Sequence, residues 1–436
     1  MRWLILAFAA IPVMAIWATV VFVGTAGGWW RSALADDDDS EGFAAAVVDR
    51  LERDQPGDAA FRLLADGEVV AEHYVSRSGS VTADTRFQVA SVSKWLTAWG
   101  VMTLVESGSV DLDAPVTGYL RRWQLPPSEF DDAVSGNDAV SGIDAVTVRR
   151  LLSHTAGLTD GLGYQGFAPG TPVQSLVGSL TRAADAMPGA DGRARVGLEP
   201  GGQWLYSGAS YALLQLLIED VTGSDFADYL QRAVLTPLGM DRSTFLQQPS
   251  ALTDLATAYD TDASPAPYQR FAAPAAAGLY TSAADLTRFL QAQRAGPQSE
   301  PAGRGVLRPD TLARMREPQA TLMGTDLWGL GHMLYADNGS GGHIIGHDGG
   351  NRPAINTTVR VDPDSGDAII VLVTGNPDLA SELGGEWVFW RTGRLDVGSY
   401  SSAVGNVVVL IGVGWIVIAC AFFIIGWRVT RPHPEE

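Results

Sequence analysis

Cysteine is nearly missing from this chain of 436 residues: there is one, Cys420, and it sits in an apolar run near the end. An intrachain disulfide is therefore excluded, and so is a metal cluster built on cysteine. Lysine is as scarce. The chain has 30 basic residues, and Lys94 is the single lysine among arginines. Positive charge as a whole is short, because 49 acidic residues leave a net charge of −19. An excess of that size repels polyanions, so nucleic acid is not an expected partner. A Gly-x-Ser-x-Gly elbow is also missing, which argues against the catalytic triad of an α/β-hydrolase. The acidic, lysine-poor composition suits solubility in high salt, and a GC-rich coding sequence would produce the same exchange of lysine for arginine.

What the chain does have begins with two long uncharged apolar runs, Trp3 to Val23 and Val407 to Trp427. Each is about the 20 residues that cross a bilayer as a helix. Arg2 precedes the first run, and Arg428 and Arg431 follow the second, while Asp36 to Asp39 lie just beyond the first. The positive-inside rule then puts both termini in the cytoplasm and the bulk of the chain outside. The expected organisation is a transmembrane anchor at 1–28, an acidic linker at 29–42, a large extracytoplasmic domain at 43–395, a transmembrane helix at 403–427 and a short cytoplasmic tail at 428–436. A cleaved signal peptide is the rival reading of the N-terminus, since Ala33-Leu34-Ala35 is a small-x-small site; the length of the apolar run favours the anchor. Neither run carries an ionisable residue, so both read as anchors of a protein in the cell membrane rather than as a transport path.

Between the runs, "AAFRLLAD", Gly67-Glu68 and "VVAEHYV" predict a β-hairpin. A largely apolar helix follows, with Trp95, Leu96, Val101, Met102, Leu104 and Val105, and stops at Gly108. A six-residue near-repeat, "DAVSGN", "DAVSGI", "DAV", reads as a surface insertion between Asp132 and Val146. Helices are expected at Ser207 to Asp220, Asp225 to Val234, Ser282 to Ala292 and Leu379 to Trp390. The segments "HIIGHDG", "INTTVRVD" and "DAIIVLVTG" read as neighbouring antiparallel strands. Strands open and close the domain and helices fill its middle, an order that predicts an α+β class.

The chemistry centres on Ser91-Val92-Ser93-Lys94. A serine hydroxyl is a weak nucleophile until a base stands within hydrogen-bond reach. Residues i and i+3 share a helix face, so Lys94 can reach the Ser91 oxygen. Burial in an apolar helix disfavours the charged amine and lets lysine act as that base, which arginine cannot do. A single retained lysine at this place fits that requirement. His343 and His347, four residues apart, would suit a metal on a helix, but Gly346 and the β-rich setting argue against it, and no metal or cofactor is expected.

Five collinear segments extend the pattern: "FQVASVSKWLTA", "LLSHTAGL", "PGGQWLYSGASYALLQLLIEDVTG", "LTPLGM" and "GHDGGNRPAIN". The order of Ser-x-x-Lys, a Tyr-x-Asn-like segment and a His-x-Gly segment resembles the serine β-lactamases and penicillin-recognising enzymes, in the branch of class C β-lactamases, D-alanyl-D-alanine carboxypeptidases, D-aminopeptidases and β-lactamase-like esterases. The resemblance implies a β-lactamase/transpeptidase-like fold, an antiparallel sheet flanked by helices plus a helical lobe. It implies Ser91 as the acylated nucleophile, Lys94 as the amine that deprotonates it, and Tyr206 as a second base whose phenolate Lys94 would support. His347 would face the cleft, holding a substrate carboxylate or supporting Tyr206. Gly349 would let substrate lie against the strand, and the backbone N–H groups of Gly350 and Ser91 would form the oxyanion hole. The implied substrate is a small molecule or peptide with an ester, amide or lactam bond. His154 looks catalytic, but the resemblance gives its segment a structural place beside the active-site wall.

One position departs from the family pattern. Gly208 stands where asparagine is usual, which removes a donor and an acceptor from the cleft. An esterase or peptidase is thereby favoured over an efficient β-lactamase. A membrane-bound binding or sensing protein of the same fold, acylated slowly or not at all, is the alternative reading.

Overall fold

The computed structural model describes residues 2–131, 142–160, 164–322 and 324–430; most of the six-residue near-repeat, residues 132–141, lies outside that range, as do 431–436 of the expected tail. The sheet begins with a hairpin, β1 (Ala59–Ala65) and β2 (Glu68–Val75). Its two-residue turn needs two left-handed residues, and Asp66 and Gly67 supply them with φ of 51° and 83°. A second, two-stranded sheet joins β3 (Arg86–Gln88) to β4 (Tyr280–Ser282). The remaining strands are β5 (Ala320–Leu322), β6 (Thr325–Trp328), β7 (Met333–Asp337), β8 (His343–Asn351), β9 (Ile355–Val361) and β10 (Ala368–Thr374). With the hairpin they form one antiparallel sheet in the order β2-β1-β10-β9-β8-β7-β6-β5.

Helices in chain order are α1 (Arg2–Ala26), α2 (Ser40–Asp54), α3 (Ser93–Glu106), α4 (Val148–Leu152), α5 (Leu176–Arg182), α6 (Gly208–Thr222), α7 (Phe226–Leu230), α8 (Pro274–Ala277), α9 (Ala283–Gln291), α10 (Pro309–Arg316), α11 (Leu379–Thr392) and α12 (Val397–Thr430). Strand β10 shows why the sheet is sandwiched: every residue in it is buried. Ile369, Val371 and Val373 point to one face, where Phe43, Val47 and Leu51 of α2 and Leu383, Trp387 and Val388 of α11 cover them. Ala368, Ile370 and Leu372 point to the other and join the larger core, with Trp95, Trp99 and Met102 of α3, Leu213 and Leu217 of α6, and Phe289 of α9. Alternation along one strand thus welds the sheet to both helical layers.

The acidic stretch after the first apolar run ends sooner than the expected 29–42 linker, because α2 starts at Ser40. Asp39 Oδ1 accepts from Gly42 N at 2.8 Å and so caps the helix, where a carboxylate meets unsatisfied N–H groups and the positive end of the dipole. The expected helix at Asp225 to Val234 is α7 followed by a π-turn at Gln231–Leu235. Helices α1 and α12 are long and apolar enough to cross a membrane. They lie against each other antiparallel, with Trp17 Nε1 donating to Leu410 O at 3.1 Å and Trp415 Nε1 to Met14 O at 3.0 Å.

Candidate active site

Strand β3 leads through Val89 into a single 3-10 turn, Ala90–Val92, from which α3 starts. Ala90 has φ of 46°, a left-handed conformation that costs a non-glycine residue and tends to persist where surrounding structure fixes it. Here the surroundings are specific: Thr357 Oγ1 of β9 donates to Val89 O at 3.0 Å, and Ala90 is fully buried. The turn holds Ser91 half-buried at its centre.

Lys94, 2 % exposed, lies one helical turn on. Its Nζ is 3.1 Å from Ser91 Oγ and donates to Ala276 O of α8 at 2.7 Å. Burial pulls its pKa down from 10.5 to about 7, against an opposing pull from the Asp160 charge. A neutral amine that spends one N–H on the Ala276 carbonyl has a lone pair left for the Ser91 proton.

Tyr206 lies just before α6, with Lys94 Nζ 4.8 Å from its ring centroid. Burial pushes its phenol well up, the Asp160 charge adds to this, and Ser91, near enough to act through a hydrogen bond, pulls the other way. The sequence reading expected Lys94 to favour a phenolate; the resting group is instead a phenol, because burial outweighs what its neighbours do for the charged form.

His347 of β8 is buried, and its Nδ1 is 2.6 Å from Asp348 O. A carbonyl only accepts, so Nδ1 carries the proton and Nε2, which has no partner among the described residues, presents a lone pair. Burial, helped by the Lys94 charge, lowers its pKa to about 3. A substrate carboxylate would therefore meet an uncharged imidazole. The ring stands 6.4 Å from that of Tyr206 and edge-on to Trp328 at 5.3 Å.

Strand β9 pairs with β8 from Ile345 to Asn351, whereas β7 pairs only from His343 to Gly346, so among the described residues the far edge of β8 beyond Gly346 has no strand on it. Gly349 does a different job from the one the sequence suggested. A Cβ there would stand 2.2 Å from Val89 O, 2.5 Å from Thr357 Oγ1 and 3.1 Å from Ser91 N. The space is taken by the nucleophile turn itself, and the glycine lets β8 press against it. A Cβ on Gly350 would meet nothing nearer than Ile355 O at 4.0 Å, so that residue borders open space.

Sequence reasoning did not single out Asp160. Its buried carboxylate accepts from Ser207 Oγ at 2.6 Å and from Ala209 N at 2.7 Å, spanning Gly208 at the start of α6. Burial raises its pKa. From α6 the lysine meets the Tyr211 ring, 5.5 Å from Nζ to its centroid, and this carboxylate from another segment supplies the charge that the lysine feels. His154 has φ of 58°, accepts from Ser207 N on Nδ1 at 3.1 Å and stacks on Tyr206 with centroids 4.4 Å apart. It braces the tyrosine together with Trp328, whose ring lies 5.8 Å from that of Tyr206. A cavity of about 400 Å³ adjoins, lined by Tyr206, Asp160, Leu158, Gly189, Asp191 and Arg195. His343 points elsewhere, its Nε2 3.1 Å from Asp326.

The model of the Beta-lactamase family matches residues 43–387. Penicillin-binding protein 4 of Amycolatopsis lactamdurans is 31 % identical over 360 residues, spanning 77 % of this chain and 87 % of that protein. Esterase EstB of Burkholderia gladioli is 31 % identical over 291 residues, 57 % of this chain and 66 % of that one. In fold, the octameric penicillin-binding protein homologue of Pyrococcus abyssi superposes with a TM-score of 0.62 at 24 % identity, over 80 % of this chain and 77 % of that chain.

Proposed function

Because the chain belongs to the Beta-lactamase family, whose members are active-site-serine hydrolases, we propose that it is a membrane-anchored hydrolase that cleaves an ester or amide bond through an acyl-enzyme on Ser91. The observation that carries this reading is the 3.1 Å approach of a buried lysine, with its pKa lowered to about 7, to a serine on a strained turn. In this reading neutral Lys94 takes the Ser91 proton as Oγ attacks the carbonyl carbon. The oxyanion forms between the N–H groups of Ser91 and Gly350. Tyr206, a phenol at rest, gives its proton to the departing alcohol or amine and regains one from Lys94. Water then attacks the acyl carbonyl by the reverse route and frees Ser91.

Nε2 of His347 accepts a hydrogen bond from a donor on the substrate. Gly208 contributes no amide contact, which favours esters and peptides over lactams. Apolar helices α1 and α12 support anchoring at both ends, with both termini cytoplasmic and the 43–395 domain outside.

The test is the pair Lys94→Ala and Lys94→Arg. A lost general base lowers the acylation rate by about 10²–10⁴, and both variants are expected to fall by that much, since arginine stays charged. Near-normal turnover by the arginine variant would remove Lys94 from the role of base.

A further inference from the structure

The foot of α12 is built into the wall behind Ser91. Val397, the first residue of α12, is buried in a cluster with Ala320, Leu327 and Trp328, against which Trp204 and Tyr206 pack. One residue earlier, buried Asp396 pairs with Nη1 of Arg360, while Nη2 of the same guanidinium holds Asp348 at 2.7 Å, next to His347 on β8. Arg360 is itself buried and lies 3.8 Å over the Tyr335 ring. Breaking one side of the buried Arg360–Asp396 pair leaves an uncompensated charge, so this join is costly to open.

From Val397 the helix continues to the apolar stretch that begins at Val407. Ten helical residues rise about 15 Å, and any tilt shortens the height. Headgroup regions occupy roughly 5–8 Å on each side of a bilayer's hydrocarbon core. The wall that carries Tyr206 therefore stands within about 10 Å of the headgroup surface. Trp29 and Trp30, 61 % and 59 % exposed just beyond α1, sit where interfacial aromatic residues collect.

Building on the anchored-hydrolase reading, we propose that the substrate is a membrane-resident amphiphile whose tail stays in the bilayer and whose scissile ester or amide stands at or just above the headgroups. Its acyl group passes to Ser91 Oγ, the alcohol or amine leaves with the proton, and water releases the acid. Confinement of enzyme and substrate to one thin layer raises their effective concentration, an advantage that a freely soluble ester lacks. The net charge of −19 repels anionic headgroups and selects neutral or cationic ones.

The full chain, reconstituted in phosphatidylcholine vesicles, is given two esters of the same acid and alcohol, one water-soluble and one carried at the headgroup of a neutral double-chain lipid. At fixed bulk concentration, cleavage of the embedded ester is expected to follow its mole fraction in the vesicle and to exceed that of the soluble ester by at least about tenfold. A second protein carries about twenty Gly/Ser residues between positions 26 and 27 and again between 399 and 400, a linker spanning about 25 Å. It should keep its rate on the soluble ester and lose about tenfold on the embedded one. A linker-extended protein that keeps its rate on both esters or loses both equally, or cleavage of the soluble ester alone by the unmodified chain, overturns the amphiphile proposal and leaves the hydrolase reading standing. Failure to cleave either ester overturns the amphiphile proposal, and if a fluorophosphonate also leaves Ser91 unmodified the hydrolase reading falls with it.

Discussion

Lys94 has to be buried and basic at once, and burial is what reconciles the two. Moving the amine out of water lowers its pKa from 10.5 to about 7, so that near neutral pH a large share of the molecules carry a free lone pair 3.1 Å from Ser91 Oγ. Arginine stays charged in the same place, which explains one lysine in a chain that otherwise uses arginine. The sign of the pH dependence follows: the base works when unprotonated, so the acylation rate on a chromogenic ester is expected to climb as pH rises through about 7 and to level off above it. Asp160 raises the lysine's pKa, so Asp160→Asn should move the climbing limb to lower pH. A limb that moves up, or stays fixed, would mean that the carboxylate does not act on the lysine. Stopped-flow rates over the pH range decide this.

Strand β8 and the 3-10 turn at Ala90–Val92 form the joint on which the site depends. A Cβ at position 349 would lie 2.2 Å from Val89 O, and that oxygen belongs to backbone fixed by Thr357. Gly349→Ala is therefore expected to cost about 1–3 kcal/mol by overpacking and to displace Ser91 from its partners, whereas Gly350→Ala, which meets open space, leaves the melting temperature unchanged. Calorimetry on the two variants checks the contrast. Local patterns made much of this element legible from sequence: the β-rich runs of β9 and β10, the apolar run of α3, and the i, i+3 spacing that joins Ser91 to Lys94. The direction in which Gly349 faces was not legible, because it is set by Val89, far away in the chain. Asp160 stayed hidden for the same reason; it is an acid in a loop whose partners, Ser207 and Ala209, lie 47 and 49 residues on. Strands β5 to β7 are three to five residues long, too short to show a period.

At the scale of the whole molecule, three histidines are sealed in uncharged. His154, His332 and His347 are all buried, and burial lowers the pKa of His332 and of His347 to about 3 and that of His154 well below its ordinary value. As pH falls below the ordinary histidine value of 6.5, the unfolded chain takes up protons that the folded chain refuses. Stability is thus present above 6.5 and lost progressively toward about pH 3. Melting temperatures recorded across that range should fall with pH. Among the described residues neither ring nitrogen of His332 has a hydrogen-bond partner, and His332→Phe should make the fall shallower. An acid-insensitive melting curve would mean that these rings find water or protons in the folded state.

The account stands or falls on Ser91 as the acylated atom. Intact-mass spectrometry of the full chain after exposure to a fluorophosphonate, and separately to a penicillin, reads this directly when Ser91→Ala is run beside it. A fluorophosphonate adduct of one equivalent on the native chain and none on the variant is the predicted result, with the penicillin sample reporting whether the cleft also takes a lactam. A folded native chain that gains no mass from either reagent, or gains the same mass with Ser91 removed, would contradict it.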